Sequence, residues 1–420
     1  MMKKGVIALA LGAALSASAQ VTELMNATLW QDPQTKVVEI TYDLAGRAPG
    51  YYITLGIETN GVPVIVPLTV TGDVTTPWDV KAVAPGNGRK IHWKAWKDWP
   101  GHLTLDARAV VIAGFTDEPP VNYLPLANPV HVVVDLSGGP SAPVYPVRYS
   151  AAPPDISDPA CKTSELWLRR IPKGTFMMGS PPVELGDYPN EWYHQTTLTK
   201  DFYIGIFEVT QRQWELVTGG TPSAYPGDTR PVEKVSYDDI RGSDQGTNWP
   251  ASASVDPTSF MGLLRAKTAL TFDLPTEAQW EFACRAGKGT SLNSGKNITA
   301  TTGTCPNMAE VGRYLGNTSD NKGGHPYAEH TSVGLYAPNA LGLYDMHGNV
   351  FEWCLDWYLQ RLGEDPVTDP AGPASGASRM IRGGAFDCEP RDCRSAFRNA
   401  GTLPPASLSG SIGFRACILP

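Results

Sequence analysis

Glycine and proline recur along this chain, and that feature constrains its fold more than any other. The 420 residues include 42 Gly and 37 Pro. Glycine weakens helices and proline cannot continue one, so the chain favours many turns and irregular connections over long helices. Because 42% of the residues are hydrophobic, the chain can also fill more than one core, which predicts two or three domains.

The first residues have the pattern of a secretory signal. Met1-Met2-Lys3-Lys4 precedes an apolar stretch from Gly5 to Leu15, and Ala17-Ser18-Ala19 supplies small residues for cleavage before Gln20. We therefore expect a signal peptide at residues 1–19 and an exported protein, periplasmic or extracellular. The apolar stretch is shorter than the roughly 20 residues of a spanning helix, and no later segment reaches that length, so we expect no membrane span.

Charge and cysteine content bound the partners and the redox chemistry. The formal net charge of -8 is spread along the chain without a Lys/Arg cluster of the kind that follows a phosphate backbone, so we expect no nucleic-acid partner. An odd number of cysteines leaves at least one thiol unpaired in an oxidising compartment, and spacing alone does not give the pairing. The seven cysteines are Cys161, Cys284, Cys305, Cys354, Cys388, Cys393 and Cys417.

The N-terminal region has the spacing of a small all-β domain. Short runs rich in β-branched and aromatic residues alternate with turn signals such as Asn60-Gly61, which predicts an immunoglobulin-like β-sandwich at residues 20–117. Residues 118–160 predict a Pro-rich linker with one strand, Val130 to Leu136, and residues 161–420 form the next domain. The sandwich contains no nucleophile motif and no Cys/His/Asp cluster, so we interpret it as a spacer or adhesion module.

A series of ordered sequence blocks begins at Leu168. The blocks are Arg170 to Ser180, Phe202 to Thr210, Pro231 to Asp238, Leu274 to Gly287, Pro338 to Trp353, Arg382-Gly383-Gly384 and Ile412 to Arg415. In this order they resemble the formylglycine-generating enzyme, or sulfatase-modifying factor, family. A single motif often matches an unrelated sequence by chance, but an ordered set of motifs rarely does. The resemblance implies a C-type-lectin-related fold with much irregular structure, which with the sandwich makes the fold class α+β.

One block also predicts local structure without the family. Thr276 and Gln279 have the spacing of a capping box, and Trp280 and Phe282 supply an apolar face. We expect a short helix that ends at Gly287, where glycine suits the C-terminal cap.

Cys388 and Cys393 follow Arg382-Gly383-Gly384 and match the cysteine pair that binds Cu(I) in the catalytic members of the family. By resemblance they are the catalytic residues and copper ligands of an oxidase that converts a cysteine of a sulfatase-like polypeptide to formylglycine. Soft thiolates suit Cu(I). The chain departs from the family pattern at three positions: Ala385 replaces a serine, Glu389 a histidine and Phe351 a tryptophan.

Two other interpretations of the pair remain open. In an exported protein Cys388 and Cys393 could form a disulfide with each other, or one of them with another cysteine. The domain would then be a non-catalytic binding or display protein, whose lectin-like loops, including Asp387 to Ser411, bind a protein or glycan. An oxidase needs two reducible thiols, so the redox state of the pair distinguishes these functions.

The resemblance also implies a structural calcium site at Asp345, Gly348, Val350 and Glu352. Carboxylates and backbone carbonyls are the hard oxygen ligands that Ca²⁺ prefers. The alternative is that Asp345 and Glu352 bond only to neighbouring amides or arginines. His347, in the same turn, is interpreted as a hydrogen-bonded structural residue rather than a ligand or base.

Overall fold

A computed structural model of the chain describes residues 37–44, 83, 86–94, 130–150, 152–318, 329–399 and 403–419, with the backbone of strands at 24–31, 51–59, 62–65, 70–72 and 107–115. The signal peptide expected at residues 1–19 lies outside the described residues. The chain divides into two compact units, Met1–Val130 with Pro146–Ala152, and His131–Tyr145 with Pro153–Pro420. Among the described residues, no helix is both long enough and apolar enough to cross a membrane.

The described part of the first unit consists of β-strands. They are β1 (Leu24–Gln31), β2 (Val38–Leu44), β3 (Tyr51–Thr59), β4 (Val62–Ile65), β5 (Val70–Gly72), β6 (Gly86–Trp93), β7 (Ala107–Phe115) and β9 (Val147–Ser150). Seven of them form two antiparallel sheets, with strand orders β1-β2-β6-β5 and β4-β3-β7. Alternate residues of β2 are buried, as the period of two in a half-buried strand requires. The immunoglobulin-like arrangement of these sheets stays a prediction, because most of their loops lie outside the described residues.

The second unit combines small sheets with short helices. Its strands are β8 (His131–Asp135), β10 (Glu165–Ile171), β11 (Gly174–Met178), β12 (His194–Leu198), β13 (Phe202–Gly205), β14 (Phe272–Asp273), β15 (Phe351–Trp357), β16 (Val367–Thr368), β17 (Arg379–Arg382), β18 (Ile412–Gly413) and β19 (Cys417–Ile418). Its α-helices are α1 (Gln211–Thr218), α2 (Tyr237–Arg241), α3 (Phe260–Thr268), α4 (Glu277–Arg285) and α5 (Pro306–Ala309). The described part of this unit is therefore mostly sheet and irregular structure with few helices.

Three sheets organise the second unit. Its strands in the main sheet follow the order β14-β19-β13-β10-β8, and two three-stranded sheets have the orders β11-β12-β16 and β17-β15-β18. The strand expected in the linker is present as β8, which pairs with β10. The second unit therefore includes His131–Tyr145, before Cys161, and Val132, Val133 and Val134 of this segment are fully buried.

Helix α4 forms where the sequence predicts it. The Thr276 hydroxyl accepts from the Gln279 amide and the Gln279 side chain accepts from the Thr276 amide, which completes the capping box. The helix ends at Arg285, followed by Ala286 and Gly287 with φ of 47° and 80°. Its Trp280 is fully buried in the main core, so this block is scaffold.

Arginines are unusually deep in this fold. Arg241, Arg313, Arg379, Arg382, Arg394, Arg398 and Arg415 are among the largest fully buried side chains. A buried guanidinium is tolerated only when it is paired and hydrogen-bonded. Four of these side chains lie between residues 382 and 415, and each of the four forms a buried ion pair with a glutamate.

Candidate functional site

Two glycines let the chain turn tightly toward the cysteine pair. Gly383 and Gly384 follow β17 with φ of 95° and 77°, in the left-handed region that favours glycine. A Cβ on Gly384 would lie 2.5 Å from Cys393 Sγ and 2.6 Å from the Asp392 carbonyl. Only glycine therefore lets the backbone pass so close to this sulfur.

Two turns then bring the cysteines to one place. The Cys388 amide donates to the Ala385 carbonyl at 3.0 Å, and a short 3₁₀ helix, Pro390–Cys393, follows. Cys393 is buried in an apolar cluster with Tyr314, Met308 and other residues, and Cys388 packs against that cluster. All seven cysteines are free thiols in the structure, and only Cys388 is partly exposed.

The environment of both sulfurs favours the protonated thiol. Burial raises the pKa of Cys388 to about 12, with a further contribution from Asp387. Burial, followed by the neighbouring Cys388, raises the pKa of Cys393 well above its ordinary value. The pair is thus not an activated nucleophile by itself, and a soft metal that binds here has to displace the protons.

Cys388 lies on the wall of a cavity of about 490 Å³. Its lining includes four aromatic rings, Tyr188, Phe351, Tyr358 and Phe397, and the polar side chains of Asn190, Gln360, Asp392, Arg398 and Asn399. Tyr188 and Phe397 have ring centroids 5.4 Å apart, and Phe351 lies 6.3 Å from Phe397. A cavity that combines apolar rings with convergent polar groups is a usual form of a binding site.

Polar contacts fix the rings of the cavity. The Tyr188 hydroxyl donates to Asp392 Oδ1 at 2.7 Å, and burial with the adjacent Asp392 carboxylate raises the pKa of Tyr188 to about 12. The Asn190 amide donates to the Tyr358 hydroxyl and to the Arg398 carbonyl, each at 3.1 Å. Tyr188, Asn190 and Tyr358 were not expected from the sequence, because they lie outside the blocks that mark the site.

Buried ion pairs attach the cysteine loop to the rest of the unit. Arg394 donates to Glu184 at 2.7 Å and to Glu191 at 2.6 and 2.8 Å. Arg398 donates to both carboxylate oxygens of Glu277, at the start of α4. The Arg394 pairs, together with the donation of Arg398 to the Asn190 carbonyl at 3.0 Å, hold the segment with Tyr188 and Asn190 against the cysteine loop at the cavity.

The three departures from the family pattern have definite surroundings. Ala385 is fully buried and has no polar side-chain atom to offer. Glu389 accepts from the Gly303 amide at 2.7 Å, so its carboxylate supports a neighbouring turn. Phe351 contributes to the cavity lining in place of a larger indole.

The expected calcium residues lie around a buried carboxylate cluster. Both oxygens of Glu352 bind Arg415, at 2.7–3.2 Å, and one also accepts from Trp280 Nε1 at 2.7 Å. Asp345 has φ of 55°, accepts from the Gly334 amide at 2.6 Å, and has no hydrogen-bond partner at Oδ1. Glu208, which the sequence did not indicate, is a third carboxylate, and burial with Asp345 and Glu352 raises its pKa.

These residues fit a calcium ion only in part. The unpartnered Asp345 Oδ1 is a free hard ligand on the turn that contains Gly348 and Val350, but Glu352 would have to leave its arginine. Within the described ranges, no group of three or more His, Cys, Asp and Glu side chains is arranged to hold a metal ion.

His347 lies behind the cysteine pair and is fully buried. Its Nδ1 is 2.7 Å from the Cys393 carbonyl oxygen, and its Nε2 is 3.0 Å from the Asn293 amide nitrogen. Burial lowers the pKa of His347 to about 4, so the ring is neutral near pH 7. The hydrogen-bonded role expected for this histidine agrees with these contacts.

Comparison with known proteins places these features in one matched stretch. Residues 157–418 match the model of a protein family described as the sulfatase-modifying factor enzyme 1-like domain. The match takes in more than half of the 420 residues. The cysteine pair, the cavity lining and the Asp345 turn all lie inside it.

Individual proteins are also similar to this chain. The formylglycine-generating enzyme of Streptomyces coelicolor is 40% identical over 148 residues, 34% of this chain and 45% of that protein. The chain thus spans less than half the length of this relative. The formylglycine-generating enzyme of Bos taurus is 26% identical over 280 residues, 58% of this chain and 72% of that protein. Among solved structures, PvdO from Pseudomonas aeruginosa has a TM-score of 0.49 at 26% identity, over 60% of this chain and 94% of that one.

Proposed function

The chain belongs to the sulfatase-modifying factor enzyme 1-like family, and from that membership we propose that its second unit oxidises a cysteine of a sulfatase-like polypeptide to formylglycine. One observation carries the proposal. Cys388, the partly exposed member of a free thiol pair, lines a cavity of about 490 Å³ that can admit a side chain of another polypeptide.

Cys388 and Cys393 are the residues that would hold Cu(I). Two free sulfurs in one apolar cluster match the preference of this soft ion. When bound, Cu(I) would supply the one-electron chemistry that dioxygen needs in order to react with a thiol. Cys388 faces the cavity and is partly exposed, whereas the burial of Cys393 shields it from water and from larger thiols and oxidants.

The overall conversion fixes which other reactants are needed. The substrate carbon exchanges its sulfur for oxygen and loses two electrons, so the cysteine becomes an aldehyde and its sulfur leaves as hydrogen sulfide. Dioxygen takes up four electrons on its way to water. Two further electrons and two protons must therefore come from a reductant, for which an external thiol is the chemical class that we propose.

Cu(I) titration of the reduced mature protein tests the copper ligands. We expect one equivalent to bind tightly, and Cys388→Ser to abolish that binding and the oxygen uptake on addition of a peptide with the sulfatase cysteine motif. Cys161→Ser is the matched control, because a serine there keeps the donor to the Asp158 carbonyl, 3.1 Å from the thiol. Copper binding that survives Cys388→Ser would show that the ligands are misassigned.

Restoring the family's hydroxyl tests the oxidation step separately. Ala385→Ser adds a hydrogen-bond donor beside the cysteine loop, so we expect it to increase oxygen uptake without changing the copper stoichiometry. Unchanged oxygen uptake, with copper still bound at the same stoichiometry, would favour a thiol site without oxidase activity.

A second candidate is a non-catalytic protein that binds a protein or glycan. Buried Ala385, which has no hydroxyl, and the aromatic lining of the cavity favour it, because aromatic faces with a few polar groups suit ligand binding without chemistry. If the reduced protein binds no copper, the measurement to make is a screen of peptides and glycans, with Tyr188→Ala as the variant expected to lose binding.

Two further expectations are also proposals. We propose export to the periplasm or outside the cell, supported by the N-terminal sequence pattern and tested by N-terminal sequencing of the secreted protein, which should begin near Gln20.

We propose Ca²⁺ at the Asp345 turn, supported by the unpartnered Oδ1. Calcium should then raise the melting temperature of the wild type but not of Asp345→Asn, and an equal response of both would rule this site out.

A further inference from the structure

The hydrogen bonds of His347 define which nitrogen carries the proton. A backbone amide can only donate, so Nε2, 3.0 Å from the Asn293 nitrogen, is the acceptor. The proton is therefore on Nδ1, which donates to the Cys393 carbonyl at 2.7 Å. Both ring nitrogens are engaged, and the side chain is fully buried, so the ring has one orientation.

This ring joins three segments that are distant in sequence. Its own backbone is fixed by a close approach of Gly312, where a Cβ would lie 1.6 Å from the His347 carbonyl oxygen. The imidazole then links that backbone to the segment at Asn293 and to the last residue of the 3₁₀ helix, Cys393. The peptide group of Cys393 thus takes its position from a rigid part of the scaffold.

Different contacts hold the other sulfur of the pair. The Cys388 amide donates to the Ala385 carbonyl at 3.0 Å, and the Cys388 carbonyl accepts from the Leu315 amide at 2.9 Å. Neither contact involves His347. The Ala385 carbonyl is common to both cysteines, because the Cys393 thiol also approaches it at 3.8 Å, whereas the contact with His347 belongs to Cys393 alone. A shift of the Cys393 peptide group therefore changes the separation of the two sulfurs without moving the turn that holds Cys388.

We propose that His347 is a positioning residue that sets the Cys393 sulfur at its working distance from Cys388. The proposal deepens the proposed function, since it rests on these two thiols acting as one site. The hydrogen bond from Nδ1–H, rather than the volume of the ring, holds the buried Cys393 sulfur in position.

Three substitutions separate the donor from the acceptor. In His347→Asn the amide nitrogen superposes on Nδ1 and keeps the bond to Cys393. In His347→Gln the side chain reaches the position of Nε2 and keeps only the contact with Asn293, and His347→Ala loses both. The first measurement is the rate at which iodoacetamide labels Cys393 in the folded, reduced protein, followed by mass spectrometry of the peptide that contains Cys393. The second is the affinity of each variant for Cu(I).

We expect Cys393 labelling to rise about fivefold in the Gln variant, by at least as much in the Ala variant, and to stay within about twofold in Asn, since one buried hydrogen bond contributes about 1 kcal/mol net, a factor of about five in rate. Cu(I) affinity should fall in the same order. Cys417, fully buried on β19, is the internal control and should keep its rate. Unchanged Cys393 labelling in all three variants, or Cys417 rising together with Cys393, would overturn the positioning role.

The two readouts distinguish this inference from the proposed function. If the wild type binds no Cu(I), the oxidase proposal fails, but the order of labelling rates still decides whether His347 fixes the sulfur. If Cu(I) binds equally well to wild type and to all three variants, the copper ligands stand and the positioning role does not.

Discussion

Replacing Arg394 with methionine is the change whose effect on the free energy of unfolding follows most directly from the structure. The guanidinium is fully buried and donates to both Glu184 and Glu191, and also to the carbonyls of Gly186 and Arg391. Methionine has a similar length but no charge and no donor. It leaves two buried carboxylates without their cation, next to Cys393.

Removing one partner of a buried ion pair costs about 3–5 kcal/mol, because the remaining charge stays uncompensated. Here two carboxylates depend on one guanidinium, so we expect a loss of about 5 kcal/mol in the free energy of unfolding at pH 7. Loss of the Arg394 cation also raises the pKa of Glu184 further, since burial already raises it and Arg394 opposes that shift. Protonation then relieves the penalty, so the deficit should narrow as the pH falls toward 5.

Guanidinium chloride unfolding followed by tryptophan fluorescence measures this loss. Arg212→Met is the matched control, because Arg212 and Glu215 form an exposed pair with side chains 39% and 38% accessible, which predicts a loss below about 1 kcal/mol. The triple variant Arg394→Met with Glu184→Gln and Glu191→Gln should regain about half of the loss. A deficit similar to that of the control, or one independent of pH, would refute the reasoning.

Three further predictions test particular contacts. Gly384→Ala should lower the free energy of unfolding by about 3 kcal/mol, because of the left-handed backbone and the overlap with Cys393 Sγ. At Gly342 the φ is nearly the same but nothing lies within 4 Å, so Gly342→Ala should lower it by only about 1–2 kcal/mol. Equal losses in chemical denaturation would contradict the close approach at Gly384. Asp356 is fully buried, and burial raises its pKa to about 7 from 3.8, so the wild type should lose up to about 4 kcal/mol relative to Asp356→Asn as the pH rises from 4 to 7. A difference between the two proteins that stays constant over this range, in unfolding curves at each pH, would show that Asp356 is ionised throughout. Phe397→Ala should open the cavity wall and speed iodoacetamide labelling of Cys388 severalfold while Cys354, fully buried on β15, keeps its rate; an unchanged rate at Cys388 would separate this thiol from the cavity.

Local features of the fold were predictable from short stretches of sequence. The capping box at Thr276 and Gln279 depends on residues three apart, and the strand expected at Val130 to Leu136 appears as His131–Asp135. Both follow from contacts along the backbone, which residue type and spacing encode directly. The family was also predictable, because its blocks occur in order along the chain.

The residues of the site were predictable only where the resemblance to the family indicated them. The sequence indicated Cys388, Cys393 and the Asp345 turn, but not Tyr188, Asn190 or Tyr358 on the cavity wall. It also gave no sign that Glu352 binds Arg415, 63 positions away. The charge pattern is compatible with many pairings, and packing selects one of them.

The sequence by itself thus determined the family, the short helix α4 and the position of the two thiols in the chain. Tertiary structure alone decided that Tyr188 meets Asp392, 204 positions away, and that Arg394 neutralises Glu184 and Glu191 beside Cys393. The physical reason is that backbone contacts act over a few residues, whereas a buried charge can take any partner that the packed core brings within a few ångströms.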